Sequence, residues 1–196
     1  MPHTPRWRED ILRPVGDEMT VGVVADTHSK PHPAAFELLR AMAPDHVLHA
    51  GDIGCLSVLD DLARIAPLSV VRGNIDAVDG ELPDFVTCRV QTDDQVLSSW
   101  LLTHIAVRGP KLRRPAYEMA TRLGIQILIC GHSHVPLITM DRGIAVFNPG
   151  SIGPRRFSLP ITFGVIRLTR SGIAFEHIDC ETGERWSPRP KKPRPA

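Results

Sequence analysis

Met19-Thr-Val-Gly-Val-Val-Ala-Asp-Thr-His28 decides the reading of this chain, because an apolar, β-branched run closes on two side chains that bind cations well. The run predicts a strand over 20–25. Asp26 and His28 stand two apart, and on extended chain that spacing sends both side chains to one face. Working outward, the apolar runs 47–50 and 69–72 also read as strands and lead into Gly51-Asp52 and Gly73-Asn74. Two later runs end in Thr103-His104 and in Gly131-His132-Ser-His134, where His132 and His134 repeat the spacing of two. Five strand ends thus present metal-type donors, and the carboxyl ends of strands are where an open α/β sheet gathers its ligands. Glycine directly before Asp52, Asn74 and His132 lets the chain turn sharply and bring backbone close to a bound ion. A lone Gly-Asp or Gly-Asn is an ordinary turn; the ordered set of five is what carries weight.

Between the early strands, 33–43 and 55–65 carry apolar residues at spacings of three and four, with Pro33 placed for a first turn, and they predict crossover helices. From Phe85 the pattern shifts towards strands, at FVTCRV (85–90) and LSSWLLTH (97–104). After a helix over 114–123 come IQILIC (125–130), IAVFNPG (144–150), TFGVIRL (162–168) and IAFEHI (173–178). This is the pattern of an α/β domain with enough strands for two sheets, packed as a sandwich with helices outside. Three segments are expected: an N-terminal extension at 1–18 that is dispensable for folding, one domain at 19–180, and a basic, proline-rich tail at 181–196 that is disordered.

A chain of 196 residues with 42% hydrophobic content can bury one sizeable core. With 23 Lys+Arg against 22 Asp+Glu, no global field draws nucleic acid or an anionic membrane, so any anion preference must be local. Cys55, Cys88, Cys130 and Cys180 lie far apart without a CxxC pair, which argues against a disulfide framework and a thiolate zinc site. The start MPHTPRWREDILRP lacks the apolar stretch of a secretory signal, and no run approaches the ~20 apolar residues of a membrane span. A soluble, cytoplasmic protein is expected.

Asp26-x-His28, Gly51-Asp52, Gly73-Asn74, His104 and Gly131-His132-x-His134, in this order, resemble the calcineurin-like metallophosphoesterases over about residues 19–179. Asn148-Pro-Gly-Ser151 and the compact length are similar to the small bacterial and archaeal phosphodiesterases, which share the fold of the retromer scaffold subunit. The resemblance implies an α/β, four-layer αββα sandwich of two mixed β-sheets flanked by helices, with a dinuclear metal site at the strand C-terminal ends. It assigns one cation to Asp26, His28, Asp52 and His134, and the other to Asp52, Asn74, His104 and His132, with Asp52 as the bridge. It further implies hydrolysis of phosphodiester bonds by a metal-bridging hydroxide, with Asn74 and His104 at the reacting centre and Asp76 hydrogen-bonded to a ligand histidine such as His104. Carboxylate, imidazole and amide donors suit Mn²⁺, Fe²⁺, Zn²⁺ or Ni²⁺ without choosing among them; two divalent ions are expected, Mn²⁺ first. The expected partner is a small phosphodiester, nucleotide-like substrates included; nucleic acid and homo-oligomerisation stay open.

Two positions depart from the wider family. Ile75 stands where many members place a general-acid histidine, and Ile105 stands where a glycine usually follows the fourth-motif histidine. The cations Arg108, Lys111, Arg113 and Arg114 follow His104, and Arg155 and Arg156 follow the Asn-Pro-Gly-Ser turn, within reach of a phosphate. The alternatives are a phosphomonoesterase or phosphoprotein phosphatase on the same metals, and a non-catalytic, retromer-like scaffold.

Overall fold

The computed structural model describes residues 4–16, 18–78, 80–93 and 95–188. In chain order the first elements are β1 (Trp7–Leu12), β2 (Met19–Val24), α1 (Pro33–Ala41), β3 (His46–His49), α2 (Ser57–Ala63), β4 (Leu68–Val70), β5 (Phe85–Gln91) and β6 (Val96–Thr103). There follow β7 (Val107–Arg108), β8 (Lys111–Leu112), α3 (Arg114–Arg122), β9 (Ile127–Ile129), β10 (Leu137–Asp141), β11 (Ile144–Asn148), β12 (Thr162–Thr169), β13 (Gly172–Asp179) and β14 (Arg185–Trp186).

Two six-stranded mixed sheets result, ordered β14-β13-β12-β2-β3-β4 and β1-β5-β6-β9-β11-β10. β2 sits inside the first, parallel to β3 and antiparallel to β12, and is covered on both faces, which is why it reads as a continuous apolar run. α1 starts as its proline predicts, with the His32 side chain accepting the Ala34 N–H. It buries Ala35 and Leu39, and with Leu62 of α2 these pack on Val24, Val47 and Phe163 of the first sheet. α3 lays Ala116 and Ala120 on Leu101, Leu128 and Val146 of the second. Between the sheets lie Val21, Val23, Trp100, Ile129, Phe147 and Ile166. The layers therefore run helix, sheet, sheet, helix, the αββα sandwich expected. No helix among the described residues is long and apolar enough to cross a membrane.

The ends correct the sequence reading. Far from being a separate extension, residues 7–12 form β1, paired parallel with β5 from Trp7↔Phe85 to Leu12↔Val90. Leu12 joins the inter-sheet core, the Trp7 indole donates to Thr87 Oγ1 at 3.2 Å, and Ser69 Oγ of the other sheet donates to Asp10 Oδ2 at 2.5 Å. WREDIL hides this role because the strand is exposed except at its end, and its backbone ladder leaves no trace in hydropathy. At the other end, β14 pairs with β13 and sets the Trp186 ring edge-on to His177, so part of the segment expected to be disordered belongs to the sheet. The remainder of that tail, 189–196, lies outside the described residues. β10, half-exposed along its length, and the β7–β8 hairpin were also not foreseen.

Candidate metal centre

The parallel strands β2, β3 and β4 of one sheet and β6 and β9 of the other each run directly into one of the five motifs. Backbone bonds then lace the loops together. Asp26 N–H donates to Gly51 O (2.9 Å), His28 N–H to Asp52 O (3.0 Å) and Gly131 N–H to His104 O (3.1 Å). His132 N–H donates to Asp26 Oδ2 at 3.0 Å, joining the two sheets across the site.

The side chains do share one site, although not by the extended geometry that spacing suggested. Asp26 (φ 55°), His28 (46°), Asp52 (57°), His132 (68°) and His134 (57°) are all left-handed. Such backbone is uncommon for residues other than glycine and clusters at functional sites. Glycine is needed for a different reason at position 73, where a Cβ would stand 2.1 Å from Asp52 Oδ1. The carboxylate occupies the space a side chain would fill. Ile105, in contrast, lies outside the left-handed region and fits without a glycine's freedom.

All seven predicted donors converge. Asp26, His28 and His134 offer ligand atoms within 4.8 Å of one another, and so do Asp26, Asp52 and His104. Asn74 Oδ1 completes the second group, 3.1 Å from His104 Nε2 and 2.9 Å from His132 Nδ1. Asp52 spans both, with Oδ1 3.2 Å from His104 Nε2 and Oδ2 3.7 Å from His28 Nε2. Asp26 also reaches both groups. His28 Nε2 and His134 Nε2 face each other at 3.3 Å, while an Arg156 N–H, which can only donate, points at the same His28 nitrogen from 3.1 Å. His28 therefore presents a lone pair. His104 Nδ1 donates to Ala50 O at 2.7 Å, so Nε2 is the nitrogen aimed at Asp52 and Asn74; with no cation bound it carries a proton toward them, and that proton is what a cation would displace. Converging carboxylate and amide oxygens with imidazole lone pairs fit divalent cations.

The charges agree with that reading. Burial pushes the Asp26 carboxyl up to about 7, against the pull of His104 and with the push of Asp52. For Asp52, burial also acts upward, but the His104 hydrogen bond and charge, the Ile75 N–H and His28 outweigh it and hold the carboxyl at about 2. Burial, reinforced by Arg156 and His28, lowers His134 to about 4. Arg156 bears on Asp26, His28, His132 and His134, and Arg113 on His132, so these two are the cations at the centre. Arg155 turns away to Glu181 and Leu159 O, and Arg114 pairs with Glu118.

Asp76 is placed differently from its expected role. Its carboxylate accepts Ile53 N–H (3.0 Å), Gly54 N–H (3.0 Å) and Gly73 N–H (2.7 Å), and the Ala50 carbonyl takes the His104 partnership instead. An acceptor-only group is better satisfied by three unpaired backbone donors of a tight loop than by one ring. Sequence reading missed His49, which is fully buried within β3. Its Nδ1 accepts Gly51 N–H at 3.1 Å, so its Nε2–H donates to Thr27 Oγ1 at 3.1 Å, and that hydroxyl donates to Ile53 O at 2.9 Å. The chain ties the Asp26 loop to the Asp52 loop; a histidine at an alternating strand position carries no signal of this. Asn148 and Ser151, read only as marks of resemblance, hold the loops too, through Gly131 O (2.7 Å) and Asp26 O (2.9 Å).

A pH dependence follows for protein stripped by chelator. Burial lowers His49 and His134 to about 4, so between pH 6.5 and 4 the unfolded chain takes up protons that the fold refuses. Stability falls as pH falls through that window; His28 and His132, also lowered chiefly by burial, act in the same sense. His46 and His177, lowered by burial, add to the trend, while Asp26, protonated in the fold up to about 7, and His104, raised despite burial by Asp52, Asp26 and Ala50 O, oppose it. Thermal melts in chelator should thus show a midpoint descending from pH 7 to pH 4.5, with a shallower descent in His49→Gln. A flat or rising profile on acidification would contradict the assignment of neutral, buried histidines.

Comparison with known proteins is in keeping with this geometry. The model of the calcineurin-like phosphoesterase superfamily domain matches residues 19–171. A probable metallophosphoesterase of Methanocaldococcus jannaschii is 30% identical over 142 residues, covering 70% of this chain and 70% of that protein. Among solved structures, vacuolar protein sorting 29 from Cryptosporidium parvum superposes with a TM-score of 0.68 at 23% identity, covering 86% of this chain and 95% of the other. A structure described as a novel archaeal phosphodiesterase gives 0.57 at 22% identity, over 82% and 99%.

Proposed function

The chain belongs to the calcineurin-like phosphoesterase superfamily, and from that premise we propose that it hydrolyses phosphodiesters with two divalent cations bound. The observation that carries this is the convergence of seven donors on the space around Asp52. Asp26, His28, Asp52 and His134 would hold one ion, and Asp52, Asn74, His104 and His132 the other. When bound, such a pair supplies an acidified water nucleophile and a Lewis-acid pull on the phosphoryl oxygen. His104 is kept in one tautomer by Ala50 O, and Asn74 is aimed by His104 and His132. Arg156, which bonds a histidine of the site, is the cation free to turn to a non-bridging phosphate oxygen.

Preference for diesters is supported at position 75. Ile75 cannot donate a proton to a leaving oxygen, so turnover depends on esters whose leaving group carries negative charge well. The structure described as an archaeal phosphodiesterase is consistent with this choice. A scaffold function, which the likeness to a vacuolar sorting protein brings to mind, has no use for a full donor set.

Titration of chelator-stripped protein with Mn²⁺ tests the reading. Two equivalents should bind per chain; bis(4-nitrophenyl) phosphate should be hydrolysed faster than 4-nitrophenyl phosphate and, because Ile75 offers no general acid, at least ~100-fold faster than a dialkyl phosphate, the low end of what general acid catalysis contributes. Full turnover in excess chelator, or a preference for the monoester, would overturn it.

A further inference from the structure

The segment Gly73–Ile75 lies between two cavities, one lined mainly by polar side chains and the other mainly by apolar ones. One, of about 210 Å³, is lined by Arg72, Asn74, Asp84, Thr103 and His104, with Ile105 as its one large apolar side chain. The other, of about 640 Å³, is walled by Leu56, Leu59, Ile75, Ala77 and Leu82. That volume suits a small organic group, and an apolar lining with few polar atoms is what such sites share. The apolar cavity is built into the metal centre. Gly54 and Ile75, two of its residues, follow the donors Asp52 and Asn74 closely in sequence. The Ile75 N–H donates to Asp52 Oδ1 at 3.1 Å, and Asp76 clamps the Gly54 N–H at 3.0 Å.

The wall is also left open by the fold. Leu56 is 60% exposed and Ile75 48% exposed, although Leu59 and Leu82 beside them pack against the core. Exposed apolar surface grouped beside a polar centre marks a binding face. Its charged lining residues are Asp60, Asp76 and Glu81, all acidic, the Asp76 carboxylate being taken up by backbone N–H groups, and no Lys or Arg is among the residues that line it. A second phosphate would be repelled there, and an uncharged ring would not.

Resting on the phosphodiesterase reading, we infer that this cavity seats an uncharged aromatic ester group of the substrate, a phenyl or nucleobase-sized ring, while the phosphate lies at the metals. Position 75 then serves recognition: its apolar side chain contacts the ring in place of a proton donor. The two cavities on either side of Gly73–Ile75 make the two ester subsites unequal, one with mainly polar walls and one with aliphatic walls that seat the ring.

The test compares methylphosphonate with phenylphosphonate, which share an anionic head and differ by the ring. Calorimetric binding to Mn²⁺-loaded protein should favour phenylphosphonate by at least ~10-fold, the scale of burying one aromatic side group. In Leu56→Asn, chosen because Leu56 is exposed and its loss is compatible with folding, the ratio should fall below ~3-fold. Leu59→Asn should act likewise. In parallel, hydrolysis of methyl and phenyl 4-nitrophenyl phosphate, which share a leaving group, should show the ring lowering KM. Equal phosphonate affinities in protein that hydrolyses both esters would overturn the cavity's role and leave the phosphodiesterase reading intact. A phenyl preference without any hydrolysis would uphold the cavity and sink that reading. A Leu56→Asn protein whose sedimentation changes while its affinity ratio does not would assign the surface to contact between copies of the chain, which also overturns the proposal.

Discussion

Asp52→Ala lowers metal-dependent diester turnover by more than ~100-fold, the equivalent of about 2.7 kcal/mol of transition-state stabilisation. The reason lies in its position. Its two oxygens face one histidine of each donor group, at 3.2 Å and 3.7 Å, and Oδ1 also accepts the Ile75 N–H. Cations ~3.5 to 4 Å apart repel each other, and a carboxylate between them offsets that repulsion for both. Loss of the side chain should therefore reduce the metal content as well as the rate, giving fewer than two Mn²⁺ per chain. Asp52→Asn keeps an acceptor for Ile75 but removes the charge, and should sit close to the alanine variant. Asp26 reaches both groups too, so Asp26→Ala should also exceed ~100-fold, with Asp52→Ala the larger loss. Two bound equivalents and near-normal turnover in Asp52→Ala would refute the bridging role.

Deletion of residues 1–18 is expected to cost about 3–6 kcal/mol of stability, from burial of Leu12 and from the lost β1 ladder. Against the ~5–15 kcal/mol of a typical domain that is a large fraction. It would also strip β5 of its neighbour, leaving a row of unpaired backbone groups for another chain to join. The truncated protein should melt well below the parent and elute in part as higher assemblies. Unchanged melting and a single monomer-sized peak would show that β1 adds nothing to the sheet. This reverses what composition suggested, because a strand held mainly through its backbone leaves little hydropathic signal.

The contrast between β1 and the central strands shows what the sequence discloses. β2, β3, β4, β6 and β9 are buried and end in motif residues, so periodicity and chemistry identified them together. β10 and β14 are half-exposed edge elements, and β7 and β8 are two residues each, too short for any period to register. In the site the same division holds. Donor residues are legible because Asp, Asn and His at strand ends are chemically conspicuous. The supports are less so: His49 acts through both ring nitrogens inside a strand, and Asp76, singled out by resemblance, receives backbone N–H groups whose position depends on the folded loop, so its partners could not be read.

The left-handed backbone of Asp26, His28, Asp52, His132 and His134 sets stability against chemistry. Each such residue costs about 1 kcal/mol more than glycine in that conformation, so the five together amount to about 5 kcal/mol. Glycine at any one of them would relieve that strain and remove a donor in the same step, so robustness of the empty fold and capacity to hold ions pull these positions in opposite directions. The centre is thus where the chain forgoes stability that glycine would supply without steric cost.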